Sequence, residues 1–290
     1  MNHLLLAAKR IGRWILLTAT TMVPIGAQQV ADTAFRPPIE KPAYAAGKGP
    51  VVLIDEAHNN FHTATGRYLP FAELLRRDGY VVKASAVRFT AEALRVGRVL
   101  VIANAMEAFT AEEITTVRNW VAGGGSLLLI ADHPPFEAPA ADLGKACGVR
   151  FREGVAWPEG DNSGRIVFRR SDGTLLDHPI TTGIDEVATF TGTSFQLDAS
   201  GYPLLTFGPG VHSEKEQNDP NPILVKGDLQ GAVLSFGRGR VAVFGEAAMF
   251  SAQITGPDKH PMGMNAPIAK QNPQFLLNVM HWLAGLLPER

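Results

Sequence analysis

Asp55, Glu56, His58, Asn59, Asn60 and His62 follow one another within "DEAHNNFH". Carboxylates and imidazoles are the side chains that ligate metals and move protons near neutral pH. Asp55, His58 and His62 stand three and four residues apart. A helical turn after Asp55 would therefore project all three to one side. One carboxylate and two imidazoles suit a divalent metal such as zinc, manganese or iron, with Asp132 or His133 completing the shell. The spacing departs from a zincin helix, because Asn59 stands where that motif carries its general-base glutamate. The competing expectation is that Asp55 caps the following turn and the histidines hydrogen-bond the loop.

A second group is "DHPP", residues 132 to 135. Asp132 could orient His133 or His58 as a general base, which would make a hydrolytic dyad. No Gly-x-Ser-x-Gly elbow occurs in the chain, so water would be the attacking group. Asp132 could equally serve the turn, accepting backbone N–H groups. "DEAH" at 55 to 58 spells a helicase box by accident, since no Gly-x-x-x-x-Gly-Lys phosphate loop exists. His178 and His281 are expected to be structural, and so is Cys147, which stands near a helix end before Gly148.

Buried strands must position these residues. "VVLID", "YVVKAS", "RVLVIAN", "SLLLIAD" and "GRVAVFG" are short β-branched or aliphatic runs, the pattern of strands covered on both faces. Amphipathic segments lie between them. "FTAEEITTVRNWVAGGG" is the clearest helix, with a Thr110–Glu113 capping box and glycines at its end. Residues 137 to 147 and "NPQFLLNVMHWLAGLL" read as helices too. Strands alternating with helices predict parallel pairing. The expected fold is α/β: a flavodoxin-like three-layer sandwich with a mostly parallel central sheet. From 150 to about 236 short β-like pieces broken by Gly and Pro predict a β-rich insertion or an extension of the sheet.

In an open parallel sheet ligands bind outside the carboxyl ends of the strands. Residues just past each strand therefore converge although they are far apart in sequence. Asp55, His58, Asn60 and His62, then Asn104, then Asp132 and His133, then Glu246 fall at such ends. The expected catalytic set is Asp55, His58, His62, Asp132 and His133. The expected ligand-binding set is Asn60, Asn104, Glu246 and Asn265. Asn265 lies in "TGPDKHPMGMNAP", 255 to 267, a long segment expected to form a lid.

The first 27 residues carry Lys9, Arg10 and Arg13, no acid, and then "WILLTATTMVPIGA". That is the grammar of a signal peptide cut after Ala27, with an uncleaved anchor as the alternative. Removing the three cations takes the net charge from −1 to −4. Residues 28 to 49 read as a linker or surface arm, and residues 50 to 290 as a single domain. A chain that is 46% hydrophobic and 19% charged buries a real core. The lack of a basic run argues against nucleic acid. One cysteine forbids an internal disulfide, which an exported, periplasmic or secreted protein tolerates if its core suffices.

Taken together, the strand ends at Asp55, Asn104 and Asp132, "WVAGGGSLLLIADHPPF", "GRGRVAVFGEAAMF" and "NPQFLLNVMHWL" resemble the class I glutamine-amidotransferase-like superfamily, in an exported branch. The resemblance spans about residues 50 to 286. In glutaminases of that group a cysteine stands on the turn occupied here by Asp132 and His133, so glutaminase chemistry is not implied. Branches that bind sugars or proteins make a small polar or saccharide ligand the expected partner. The alternatives are a hydrolase built on the Asp/His cluster, with or without a metal, and a scaffold in an envelope complex.

Overall fold

The computed structural model describes residues 29–161, 163–198, 201–216 and 219–290. The expected signal segment and its expected cleavage position lie outside the described residues. Along the chain the elements are β1 (Val30–Ala31), β2 (Val51–Asp55), α1 (Leu69–Arg77), β3 (Val81–Ser85), α2 (Ala91–Arg95), β4 (Val99–Ala103), α3 (Ala111–Ala122), β5 (Ser126–Ile130), α4 (Glu137–Ala146) and β6 (Val149–Phe151). A β-rich stretch follows with β7 (Val155–Pro158), β8 (Ile166–Arg169), β9 (Glu186–Thr189), β10 (Phe195–Leu197), β11 (Tyr202–Thr206), β12 (Val211–Glu214) and β13 (Ile223–Leu224). The chain closes with β14 (Leu229–Phe236), β15 (Gly239–Phe244), β16 (Ala252–Thr255), β17 (His260–Gly263) and α5 (Asn272–Ala284).

The main sheet has nine strands in the order β3-β2-β4-β5-β15-β14-β10-β6, with β11 also paired to β14. The first five run parallel. β14, β10, β6 and β11 are joined to it and to each other by antiparallel pairing. The fold is thus mixed α/β, and the expectation of a mostly parallel sheet is corrected. The parallel half comes from segments separated by helices, which leave enough chain for a crossover. The tight "GRGR" turn joins β14 to β15 directly, and a two-residue turn can only reverse the chain. The region from 150 to 236 both extends this sheet and forms two small sheets, β13-β12-β7 and β8-β9.

Successive side chains of the parallel strands feed opposite faces. Val52, Ile54, Val101 and Phe244 pack with Phe71 and Leu75 of α1 and with Phe275, Val279 and Trp282 of α5. Leu53, Leu100, Ile102, Leu129 and Val243 pack with Val117 and Val121 of α3 and Leu143 of α4. Helix α3 begins as the capping box requires: the Thr110 hydroxyl accepts the Glu113 N–H, and the Glu113 carboxylate accepts the Thr110 N–H.

The segment expected to be a loose lid is an ordered hairpin. β16 and β17 pair antiparallel, and β1 adds a third strand to them. The surface arm is fastened there by Asp32, whose N–H donates to the Ala252 carbonyl and whose carboxylate accepts Asn265 Nδ2.

Candidate functional site

Beyond Asp55 the chain does not continue as a helix. It makes a tight turn with Asn59 at φ 51° and then winds to α1. Asp55 and His58 turn inward together. His58 Nδ1 lies 2.8 Å from Asp55 Oδ2, and Nε2 lies 3.0 Å from Glu113 Oε1. The imidazole packs against Phe89 and Phe109, with ring centroids 4.7 and 4.5 Å away. Both ring nitrogens face carboxylates, an arrangement that favours the doubly protonated, charged ring. Burial alone would discharge His58; the hydrogen bond and charge of Asp55, joined by Glu113, outweigh it and raise its pKa. The carboxyl of Glu113 also pays a burial penalty. Thr110 and His58 more than offset it and hold Glu113 at about 2.

Asp55 and His58 are fully buried and line neither of the cavities at this edge. Instead of facing either cavity they form an internal ion cluster that ties the turn after β2 to α3. His62 turns elsewhere, so the predicted triad does not assemble. Among the described residues no group of three or more His, Cys, Asp or Glu is placed to hold a metal ion.

A cleft does open at the carboxyl edge of the parallel strands. Its cavity of about 350 Å³ is lined by Phe61, His62 and Arg67 from the turn after β2, Asn104 after β4, and Asp132, His133 and Phe136 after β5. Gln29, Pro134, Pro135, Thr191, Ala248, Gln253 and Met262 complete the wall. A second cavity of about 710 Å³ adjoins it, sharing Gln29, Phe61 and Arg67 and including Asn60. Both fall in the size range of small-ligand pockets.

Several polar groups in these walls are unsatisfied. His62 is 3% exposed, and neither ring nitrogen has a hydrogen-bond partner. Burial, reinforced by the charge of Arg67, pushes its pKa down to about 3, so the ring is neutral. Gln253 Oε1, Asn60 Nδ2 and Arg67 Nε are likewise buried without partners. The Arg67 guanidinium lies over the Phe61 ring at 3.7 Å.

Asp132 accepts the N–H groups of His133 at 2.8 Å and Ala247 at 3.1 Å. It therefore serves the turn while its residue still lines the cleft. Burial raises its pKa. His133 Nδ1 donates to the Pro134 carbonyl at 2.9 Å, and Nε2 stands 3.7 Å from Asp132 Oδ1. Asp132 thus reaches His133 loosely and is no partner of His58. Asn104, at φ 52°, accepts the Asp132 N–H with its side-chain oxygen and keeps its place in the wall.

Two predicted ligand-binding residues do not reach the cleft. Glu246 is fully buried and accepts the N–H groups of Ala248 and Met249, both at 2.7 Å, to cap the turn after β15. Burial, with Asp132 nearby, raises its pKa well above the usual carboxylate range. Asn265 braces the hairpin, donating to Asp32 and to the Gln253 carbonyl. Arg67, Phe61, Phe136, Thr191 and Gln253 were not singled out by the sequence. Arg67 and Phe61 sit beside the histidines; nothing in the sequence marks Thr191 or Gln253. Cys147 is buried at the end of α4, and its thiol is raised to about 11 by burial.

Fold and cleft define a mixed α/β protein with an open cleft at the carboxyl edge of its parallel strands. The chain belongs to the family described as a domain of unknown function (DUF4350), whose model matches residues 66–253. No curated protein matches the chain. Among solved structures it is similar to the N-terminal domain of mmIFT52, with TM-score 0.62, 15% identity, and 80% of this chain and 97% of that one covered. It is also similar to a ThuA-like protein from Bacteroides uniformis (TM-score 0.51, 18% identity, 83% and 93% covered). A cytoplasmic protein from Salmonella typhimurium gives TM-score 0.52 at 15% identity, with 80% and 98% covered. At such identities the likeness is one of fold. The family match and these neighbours overturn the resemblance to class I glutamine amidotransferases.

Proposed function

We propose that the cleft at the carboxyl edge of the sheet binds a small polar ligand of the saccharide type, in an exported protein of the cell envelope. The observation that carries this reading is the set of buried, unpartnered polar atoms on its wall: both nitrogens of His62 and Oε1 of Gln253. Leaving a buried donor or acceptor unpaired costs about 1–3 kcal/mol. Polar hydroxyls entering the cleft would recover that loss. Phe61 and Phe136, with centroids 5.1 Å apart, supply an apolar surface for the C–H face of a sugar ring. A flavodoxin-like reading of the parallel half rests on its strand order, which reverses direction at β2 and β4. The cleft opens beside those two strand ends, as the switch-point rule expects.

Thr191→Phe tests this reading by filling the cavity from a half-buried wall position. A panel of sugars and polyols screened by thermal shift should yield stabilising compounds for the mature protein. Those shifts should vanish in the variant while its circular dichroism spectrum is unchanged. Equal shifts in both proteins would place binding outside the cleft.

Export is supported by the basic start and apolar run of residues 1 to 27. The mature chain recovered from the envelope is expected to begin at Gln28, as read by mass spectrometry of its N-terminal peptide. Recovery of Met1 on that material would contradict cleavage. A hydrolytic role is the second reading. It is favoured by His133, which lines the cleft with Nε2 turned toward Asp132.

A further inference from the structure

We propose that the ligand of this cleft is an acidic saccharide, whose anionic group is held by Arg67. The inference rests on the cleft reading above and specifies the ligand's charge. Arg67 is half-buried in the wall common to both cavities. Among the described residues it joins no ion pair, and its Nε has no hydrogen-bond partner. Burial is the one influence that lowers its pKa; no neighbouring carboxylate raises it. A guanidinium withdrawn from water without a counter-charge is costly, and its fork of donors fits a carboxylate or a phosphate.

The surroundings narrow the class further. His62, beside Arg67, is neutral and offers one donor and one acceptor to the same ligand. Phe61 is braced on one side by the Arg67 guanidinium and lies 5.1 Å from Phe136, a surface for carbon rather than for a bare ion. Asp132 and His133 line only the smaller cavity. The Asp132 carboxyl is already engaged with two backbone N–H groups, so it can take hydroxyl protons but repels a second anion there. An anionic group at Arg67 and hydroxyls toward Asp132 describe a uronic acid or a sugar phosphate.

Isothermal titration of the mature protein with galacturonate, glucose 6-phosphate, galactose and glucose tests this. At least one acid should bind tenfold or more tightly than its neutral parent, and the preference should weaken as salt rises. Which acid wins tells carboxylate from phosphate. Arg67→Gln should abolish the preference, and Arg67→Lys should retain part of it, which separates charge from folding. Neutral sugars binding as well as the acids, or a preference untouched in Arg67→Gln, would overturn the acidic ligand and leave the cleft reading standing. If none of the four binds and Thr191→Phe alters no thermal shift with any sugar or polyol, both readings fall together.

Discussion

His58→Ala is expected to lower the unfolding free energy by about 3–5 kcal/mol, the loss typical when one partner of a buried ion cluster is removed. The variant leaves Asp55 and Glu113 buried, with no charge between them, in a pocket walled by Phe89 and Phe109. Domains of this kind are held by about 5–15 kcal/mol, so the variant would be marginal. The effect should depend on pH in a definite direction. Glu113 is held down at about 2 from 4.5, so its contribution is complete above pH 4.5 and disappears as pH falls toward 2. The pKa of His58 is raised above 6.5, so its contribution is complete below pH 6.5 and is lost as pH climbs through the folded-state value. The stability gap between the native chain and His58→Ala should therefore be widest between about pH 4.5 and 6.5. Urea unfolding of both proteins across pH 3 to 9 measures it. A gap that stays constant over that range would mean the imidazole acts by packing alone.

Gly245→Ala is the second large effect, with an expected loss of about 3 kcal/mol and of the proposed sugar binding together. A Cβ built at this position would stand 2.2 Å from the Thr193 carbonyl oxygen. That contact is with backbone, so no rotamer relieves it. The same carbonyl belongs to the loop before β10, whose Thr193 N–H donates to the Gly245 carbonyl at 2.8 Å, and Gly245 N–H in turn donates to the Gln230 carbonyl at 2.9 Å. Moving either chain shifts the next two residues. Glu246 would lose its grip on the turn Ala248–Phe250, and Ala247 its bond to Asp132. The wall formed by Asp132 and Ala248 would then open. Denaturant unfolding and calorimetric titration on the same preparation check both parts. A variant that unfolds like the native chain would show that the backbone around Thr193 yields without cost.

The sequence by itself determined the parallel half of the sheet, its helices and the edge where polar groups gather. Runs such as "VVLID" and "SLLLI" can satisfy their apolar side chains only between two covered faces, and the capping residues around α3 act over a few positions. It also marked His62, Asp132, His133 and Asn104, because residues just past parallel strands share one rim whatever the details. Only the tertiary structure decided which of those residues turn toward the cleft. Asp55 and His58 carry the same chemistry as His62, but Glu113, 55 residues further on, supplies the second carboxylate that draws the imidazole inward. Glu113 already had a local reading as half of a capping box, and nothing local reveals that its other oxygen faces His58. Arg67 and Gln253 were silent for the same reason: lying unpaired in a wall is a property of every neighbour at once. The antiparallel half was equally hidden, because a short turn fixes strand direction while only long-range pairing chooses which edge of the sheet receives it.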